Sequence, residues 1–152
     1  MVMIPRNYRG RKWKTDKTGR WRSPAYLEWV RTLPSCVRYY NAPDPTGSVV
    51  VAHMRYPGCG MGVKPADCLV YPCADSTHKY FHSQGHPELS KQMEWVMRVI
   101  SLSVSSGLIV ADDVSFMWML DMESTVVQSV SDVERLASGW ANLFIDGHME
   151  MR

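Results

Sequence analysis

The stretch from residue 49 to residue 86 constrains the fold more than any other part of this sequence. It holds four of the five histidines and three of the four cysteines. It opens with a run of valines, 49–51, and such a β-branched run predicts a buried strand that delivers His53 at its end. A glycine-rich loop follows, and then a second apolar run, 68–71, which we predict to be a strand stopped by Pro72.

A pair of histidines closes this stretch. His78 and His82 are four positions apart, and residues with that spacing lie on the same face of a helix. Both imidazoles can therefore point at one metal ion. A single pair of this kind often arises by chance, and His53 alone could be a core histidine. The order strand, strand, helix, with a histidine on the first strand and the pair on the helix, nevertheless predicts a compact metal site.

The motifs of this stretch, taken in order, resemble those of the HNH (ββα-metal) nuclease superfamily. They are most similar to its small phage and prophage members, and recombination nucleases of the Ref and Rap type belong to the same superfamily. The resemblance extends from about residue 23 to residue 85, and its most specific part is GMGVKPAD. The motifs read AHMRY, GMGVKPAD, YPC and HKYFH.

This resemblance implies a fold and an activity. The fold would be α+β, a mostly helical domain around a ββα-metal (HNH) core with a basic N-terminal arm. The activity would be that of a metal-dependent DNA endonuclease or nickase acting in recombination or DNA processing. Such a protein would be phage-encoded and would work in the cytoplasm of a bacterial host. Its partners would be DNA and a recombination or replication protein.

The resemblance also implies roles for four residues. His78 and His82 would hold a divalent metal, and imidazole ligands suit Zn, Ni or Mn better than Mg. His53 is either the general base that takes a proton from the attacking water or a third metal ligand, and the sequence leaves both open. Asp67 lies near the third signature position of the superfamily. It is either a catalytic residue or a side chain that stabilises a turn.

The cysteines depart from the pattern of the resembling family. There, the helix before the ββα unit ends in a knuckle with two cysteines, whereas here Cys36 stands without a partner. Cys73 is the remaining thiol of the second knuckle, and Cys68 and Cys59 are the other candidates. A structural zinc site is closed by four ligands. We therefore interpret Cys36 and Cys73 as structural thiols and expect packing in place of zinc.

Charge is distributed unevenly along the chain. Residues 1–40 carry ten Lys or Arg against two acids, whereas residues 111–151 carry eight acids against Arg135. This asymmetry predicts a basic flexible arm over residues 1–22 that contacts nucleic acid, although a solvated tail would have the same composition. Six residues of the arm and two residues beside the glycine-rich loop are candidates for binding nucleic acid: Arg9, Arg11, Lys12, Trp13, Lys14, Arg20, Arg55 and Lys64.

The remaining residues, 23–152, predict one HNH-like domain, with a ββα-metal core at about 48–86 and a helical part at 87–146. Ser23 and Pro24 predict a helix start, as N-cap and first helical residue. A second helix is predicted to begin at Pro87 and to end before Gly107. Residues 112–122 fit a buried helix or a strand, and a capping box at Ser131 and Glu134 predicts the start of a last helix. No stretch is long and apolar enough to cross a membrane.

Two further functions are compatible with the sequence. A catalytically inactive HNH scaffold would bind nucleic acid or a partner protein without cutting DNA. A small structural metal protein would hold zinc through His78, His82 and Cys73. The methionines and tryptophans of the C-terminal half are explained by a core or an oligomer interface, with a partner-docking surface as the alternative.

Overall fold

A computed structural model describes residues 10–37, 48–56, 64–125 and 127–152. Arg9, Cys59 and the predicted glycine-rich loop therefore lie outside the described residues. The described part is α+β, with five helices and three two-stranded antiparallel sheets. In chain order the elements are β1 (Lys14–Thr15), β2 (Trp21–Arg22), α1 (Pro24–Arg31), β3 (Val49–His53), β4 (Val70–Ala74), α2 (Asp75–Gln84), α3 (Leu89–Ser105), β5 (Ile109–Ala111), α4 (Asp113–Ser124), α5 (Val130–Ile145) and β6 (Met149–Met151).

The central unit consists of β3, β4 and α2. The strands pair in register from Val49 opposite Ala74 to His53 opposite Val70, and α2 begins directly after β4 and packs against both strands. The prediction that Pro72 stops the second strand is wrong, because Pro72 lies inside β4. Its carbonyl accepts the Cys36 N–H at 3.1 Å, so its backbone faces the outer edge of the sheet. A proline costs no ladder hydrogen bond at such an edge.

Residues 10–22 do not form the flexible arm that the sequence predicts. Strands β1 and β2 pair as a small hairpin, and the Trp21 side chain at its end is completely buried. The Trp13 ring packs on Phe144 of α5 with ring centroids 5.3 Å apart. Burying two large aromatic side chains releases enough apolar surface from water to hold this segment on the domain despite its positive charge.

The helix ends follow local sequence chemistry in most places. The Ser23 hydroxyl accepts the Tyr26 N–H at 3.0 Å and Pro24 is the first residue of α1, which confirms the predicted start. Gly107 follows α3 with a φ of +84°, as a glycine after a helix end should. The capping box predicted at Ser131 and Glu134 is wrong. The box before α5 is formed two residues earlier, by Ser129 and Asp132.

The C-terminal half supplies three helices and a two-stranded ribbon. The stretch 112–122, which fitted a buried helix or a strand, is α4, with the Asp112 side chain accepting the Ser115 N–H at its start. The helix is not buried throughout, because four of its large apolar side chains are exposed: Val114, Phe116, Met117 and Leu120. Strands β5 and β6 pair, and this ribbon packs against α3 through β5 and against α5 through β6. Aromatic packing joins this half to the hairpin. The centroid of the Trp21 ring lies 5.5 Å from that of Trp140 and 5.1 Å from that of Phe144. No helix of the described residues has the length and apolar character needed to span a bilayer.

Candidate metal and catalytic site

His53 is the last residue of β3, and its imidazole is held by Asp67. Its Nε2 atom lies 3.0 Å from Oδ1 of Asp67, and both side chains are largely buried, with 13% and 7% exposed. The main chain is fixed on either side of this contact, because β3 is paired up to His53 and the next residue, Met54, donates its N–H to the Leu69 carbonyl. The imidazole therefore has a defined place at the strand end.

Asp67 is held by two further donors. Its Oδ2 accepts the Ser23 N–H at 2.9 Å and its Oδ1 accepts Arg22 Nη1 at 3.1 Å. Burial raises the pKa of the Asp67 carboxyl, but the hydrogen bonds from His53 and Ser23, with the charges of His53 and Arg22, outweigh it and leave the pKa below its ordinary value. Asp67 is therefore a carboxylate, which only accepts hydrogen bonds. The nitrogen of His53 that faces it therefore carries a proton, and in the neutral form of this imidazole Nδ1 carries the lone pair.

α2 brings the predicted histidine pair together. The Nε2 atoms of His78 and His82 lie 3.2 Å apart, and the rings meet edge to face with centroids separated by 4.5 Å. Burial lowers the pKa of His78, and His82 and the Arg55 cation lower it further. A lowered pKa keeps the His78 imidazole neutral near pH 7, which is the state that coordinates a metal.

His86 joins this pair and was missed by the sequence prediction. Its ring centroid lies 5.0 Å from that of His82, and its pKa is lowered by burial, by His82 and by the Arg55 cation. The signal was present in the sequence as a second four-residue spacing. α2, however, ends at Gln84, so helical spacing does not carry His86 onto the same face. The contact exists because the chain turns through Gly85, whose φ is +109°.

The separation of the pair fits a common metal ion. Two imidazole nitrogens bound to zinc at about 2.0–2.1 Å with a tetrahedral angle would be about 3.3 Å apart, close to the 3.2 Å between the two Nε2 atoms. No group of three or more His, Cys, Asp and Glu side chains among the described residues is arranged to hold a metal. The described part of the site therefore offers two imidazole nitrogens at a separation that suits a shared ion, which is also within hydrogen-bond distance, and His53 is not one of a set of three with them.

The Gln92 side chain of α3 links the backbone after His53 to the backbone after His86 by hydrogen bonds. This side chain is 1% exposed, accepts the Arg55 N–H at 2.9 Å, and donates Nε2 to the carbonyls of Arg55 and Pro87. Arg55 follows the strand end that carries His53, and Pro87 follows His86. The sequence prediction missed Gln92, because a polar residue within an apolar helix face carries no signal of its partners.

The candidate nucleic-acid-binding residues are not gathered on one element. Arg11 in the hairpin segment is exposed, and so are Arg55 and Lys64, which flank the segment 57–63 outside the described residues. Arg20 donates to the Thr18 hydroxyl, and Lys12 and Lys14 are half-buried. The Trp13 ring packs against Phe144, so it is not the free stacking platform that the sequence suggested.

Cys36 and Cys73 lie where α1 and its following turn pack against β4. Burial raises the pKa of each thiol to about 12, so both are neutral near pH 7. The Cys36 Sγ lies 3.4 Å from the Pro72 carbonyl, and its backbone N–H bonds the same carbonyl. Cys36, Cys68 and Cys73 are free cysteines. Cys36 and Cys73, the two predicted structural thiols, are therefore part of the packing between the α1 region and β4.

Comparisons with protein-family models, with curated proteins and with solved structures find no match to this chain.

Proposed function

We propose that this chain is a metal-dependent DNA endonuclease or nickase of the HNH type, a hydrolase of phosphodiester bonds. The observation that carries the proposal is the joint placement of two features on one strand–strand–helix unit. A histidine at the end of β3 is paired with a buried carboxylate, and two imidazole nitrogens on α2 lie at the separation that a shared metal ion requires.

His53 is the general base under this proposal. A histidine paired with a carboxylate suits either a base or a metal ligand. We assign the base because no group of three possible ligands exists among the described residues, so His53 does not complete a set with His78 and His82. Its Nδ1 accepts a proton from the attacking water, and the Asp67 carboxylate stabilises the imidazolium that forms. General-base catalysis of this kind contributes about 10²–10⁴-fold.

His78 and His82 are the residues that would hold a divalent metal, with Zn, Ni and Mn favoured over Mg. When bound, such a metal supplies positive charge that stabilises the charge developing on the scissile phosphate. Arg55 and Lys64 are both exposed, and we assign them to contacts with DNA phosphates. Under this proposal the protein is phage-encoded and acts in the cytoplasm of a bacterial host.

The experiment is a cleavage assay with the full chain on single-stranded, nicked, branched and duplex DNA, with Mg, Mn, Ni or Zn added singly. We expect cleavage of at least one DNA form with at least one metal, and its loss with a chelator. The double variant His78→Ala/His82→Ala is the control for a contaminating nuclease, whose activity would persist in that preparation. A wild-type protein that binds metal but cuts none of the four DNA forms contradicts the enzyme assignment.

A second candidate function is an HNH-like scaffold that binds DNA or a recombination or replication protein without cutting. It is favoured by one observation, which is that the described residues provide only two imidazole nitrogens at a separation that suits a shared metal ion. The cleavage assay separates the two, because a scaffold would leave every DNA form intact. A DNA-binding scaffold would also shift the DNA in a parallel binding experiment.

A further inference from the structure

The side chain of Arg22 is the most extensively bonded cation among the described residues. It is 17% exposed and stands at the end of the hairpin, as the last residue of β2. Its Nε donates to Oδ2 of Asp16 at 3.0 Å, and its Nη2 donates to the Lys64 carbonyl at 2.8 Å. Its Nη1 reaches the Pro65 carbonyl at 2.6 Å and Oδ1 of Asp67 at 3.1 Å. All three guanidinium nitrogens are thus engaged.

One oxygen of Asp67 links this cation to the candidate base. Oδ1 of Asp67 accepts from Arg22 Nη1 and from His53 Nε2, at 3.1 and 3.0 Å, while Oδ2 is held by a backbone N–H. Three donors fix both the position and the plane of the carboxylate. Without Arg22, one donor would remain besides His53. The carboxylate could then rotate, and the Nε2–H of His53 would lose its fixed acceptor.

We propose that Arg22 is a positioning residue for His53, acting through the Asp67 carboxylate. It holds His53 in the tautomer with the proton on Nε2 and the lone pair on Nδ1. The placement of Arg22 and Asp67 is independent of any activity, whereas the consequence for cleavage rests on the proposed nuclease function. The hairpin is therefore part of the site that orients the base, in addition to any contact it makes with DNA.

Lysine cannot replace Arg22 in this role. The guanidinium reaches four acceptors in four directions through three nitrogens, and a lysine ammonium is a single point on a flexible stem. Asp16, which binds the Nε end, anchors the hairpin turn by accepting the N–H groups of Thr18 and Arg20. The Arg22 guanidinium therefore connects the hairpin turn with the backbone that leads into Asp67.

The first readout is the tautomer of His53, measured by long-range ¹H–¹⁵N correlation on protein labelled at histidine, at about pH 8.5, where an ordinary imidazole is neutral. We expect the Nε2–H form in the wild type and a mixture of tautomers in Arg22→Gln. Arg31→Gln is the matched control. It removes an arginine of α1 that pairs with Glu28 at 3.2 Å and should leave the His53 signals unchanged. If Arg22→Gln does not fold, Arg22→Lys keeps the positive charge without the planar guanidinium. It should give the same mixture of His53 tautomers.

The second readout is single-turnover cleavage with DNA affinity measured in parallel. We expect Arg22→Gln to lower the rate by roughly tenfold to a hundredfold, as small displacements of catalytic groups do, with DNA affinity unchanged. A folded Arg22 variant that keeps the wild-type tautomer of His53 overturns the proposal. The tautomer is measured without metal or DNA, so a wild type that cuts no DNA would refute the nuclease and leave this test intact.

Discussion

The Nε2 atom of His53 lies 3.0 Å from Oδ1 of Asp67, although the two residues are 14 positions apart in the sequence. The contact pairs the end of β3 with the turn that precedes β4. Under the proposed function it makes His53 a base with one unprotonated nitrogen and Asp67 its partner.

Replacing His53 by alanine should remove most of the cleavage rate, about 10²–10⁴-fold, because a general base of this kind is worth that much. Metal affinity should not change, since the proposed ligands, His78 and His82, are on α2. Single-turnover cleavage and calorimetric titration with metal measure the two quantities on the same protein. A clear loss of metal affinity would instead identify His53 as a ligand.

Replacing either His78 or His82 by alanine should abolish metal-dependent cleavage while the fold is retained. Their Nε2 atoms are 3.2 Å apart, so one ion would lose half of its described protein ligands in either variant. Metal affinity by titration and fold by circular dichroism check this. His148→Ala is the control, because His148 pairs with Asp112 in another part of the fold. Unchanged metal affinity in both single variants would refute the metal site.

Replacing His86 by alanine should weaken metal binding by roughly tenfold, the lower end of the effect of groups that support metal ligands. The ring lies edge to face against His82, with centroids 5.0 Å apart, and we expect this contact to limit the orientation of the His82 ring. The measurement is the same titration, compared with the His82 variant. An effect as large as that of His82→Ala would show that His86 is itself a ligand.

The paired exchange Arg11→Ala/Lys64→Ala should weaken DNA binding and flatten its dependence on salt. Both side chains are exposed, and the slope of log affinity against log salt falls by about 0.9 for each duplex phosphate that the protein no longer neutralises. Arg135→Ala, in the acidic half of the chain, is the control. Deleting residues 1–22 is a less selective test, because it also removes the buried Trp21 and Arg22. An unchanged slope in the paired variant would show that neither residue touches phosphate.

The free energy of unfolding should fall as the pH drops from about 4 to about 2. Burial raises the pKa of Asp16, but hydrogen bonds from Thr18, Arg20 and Arg22 outweigh it and lower the pKa from 3.8 to about 2. A carboxyl with a lowered pKa in the folded state stabilises the fold above its unfolded pKa and loses that contribution as pH falls through the folded value. Urea unfolding at a series of pH values measures this. In Asp16→Asn the free energy of unfolding should fall less over this pH range. An equal fall would show that other carboxyls cause it.

The sequence by itself determined the features that depend on neighbours within a few positions. The four-residue spacing of His78 and His82 was enough to predict their shared helix face, because helix geometry sets that distance. Ser23 and Pro24 predicted the start of α1 correctly, since capping involves only the first turn of a helix. The α+β class, which the resemblance of the motifs implied, is confirmed for the described residues.

Only the tertiary structure decided what binds Asp67 and what becomes of the N-terminal segment. Arg22 and Asp67 are 45 positions apart, and no local pattern specifies that ion pair. The basic composition of residues 1–22 suggested a free arm, whereas burial of Trp21 against α5 holds the hairpin on the domain. The physical reason is that charge and periodicity are properties of a segment. The partner of a buried side chain, by contrast, is set by which distant surface it packs against.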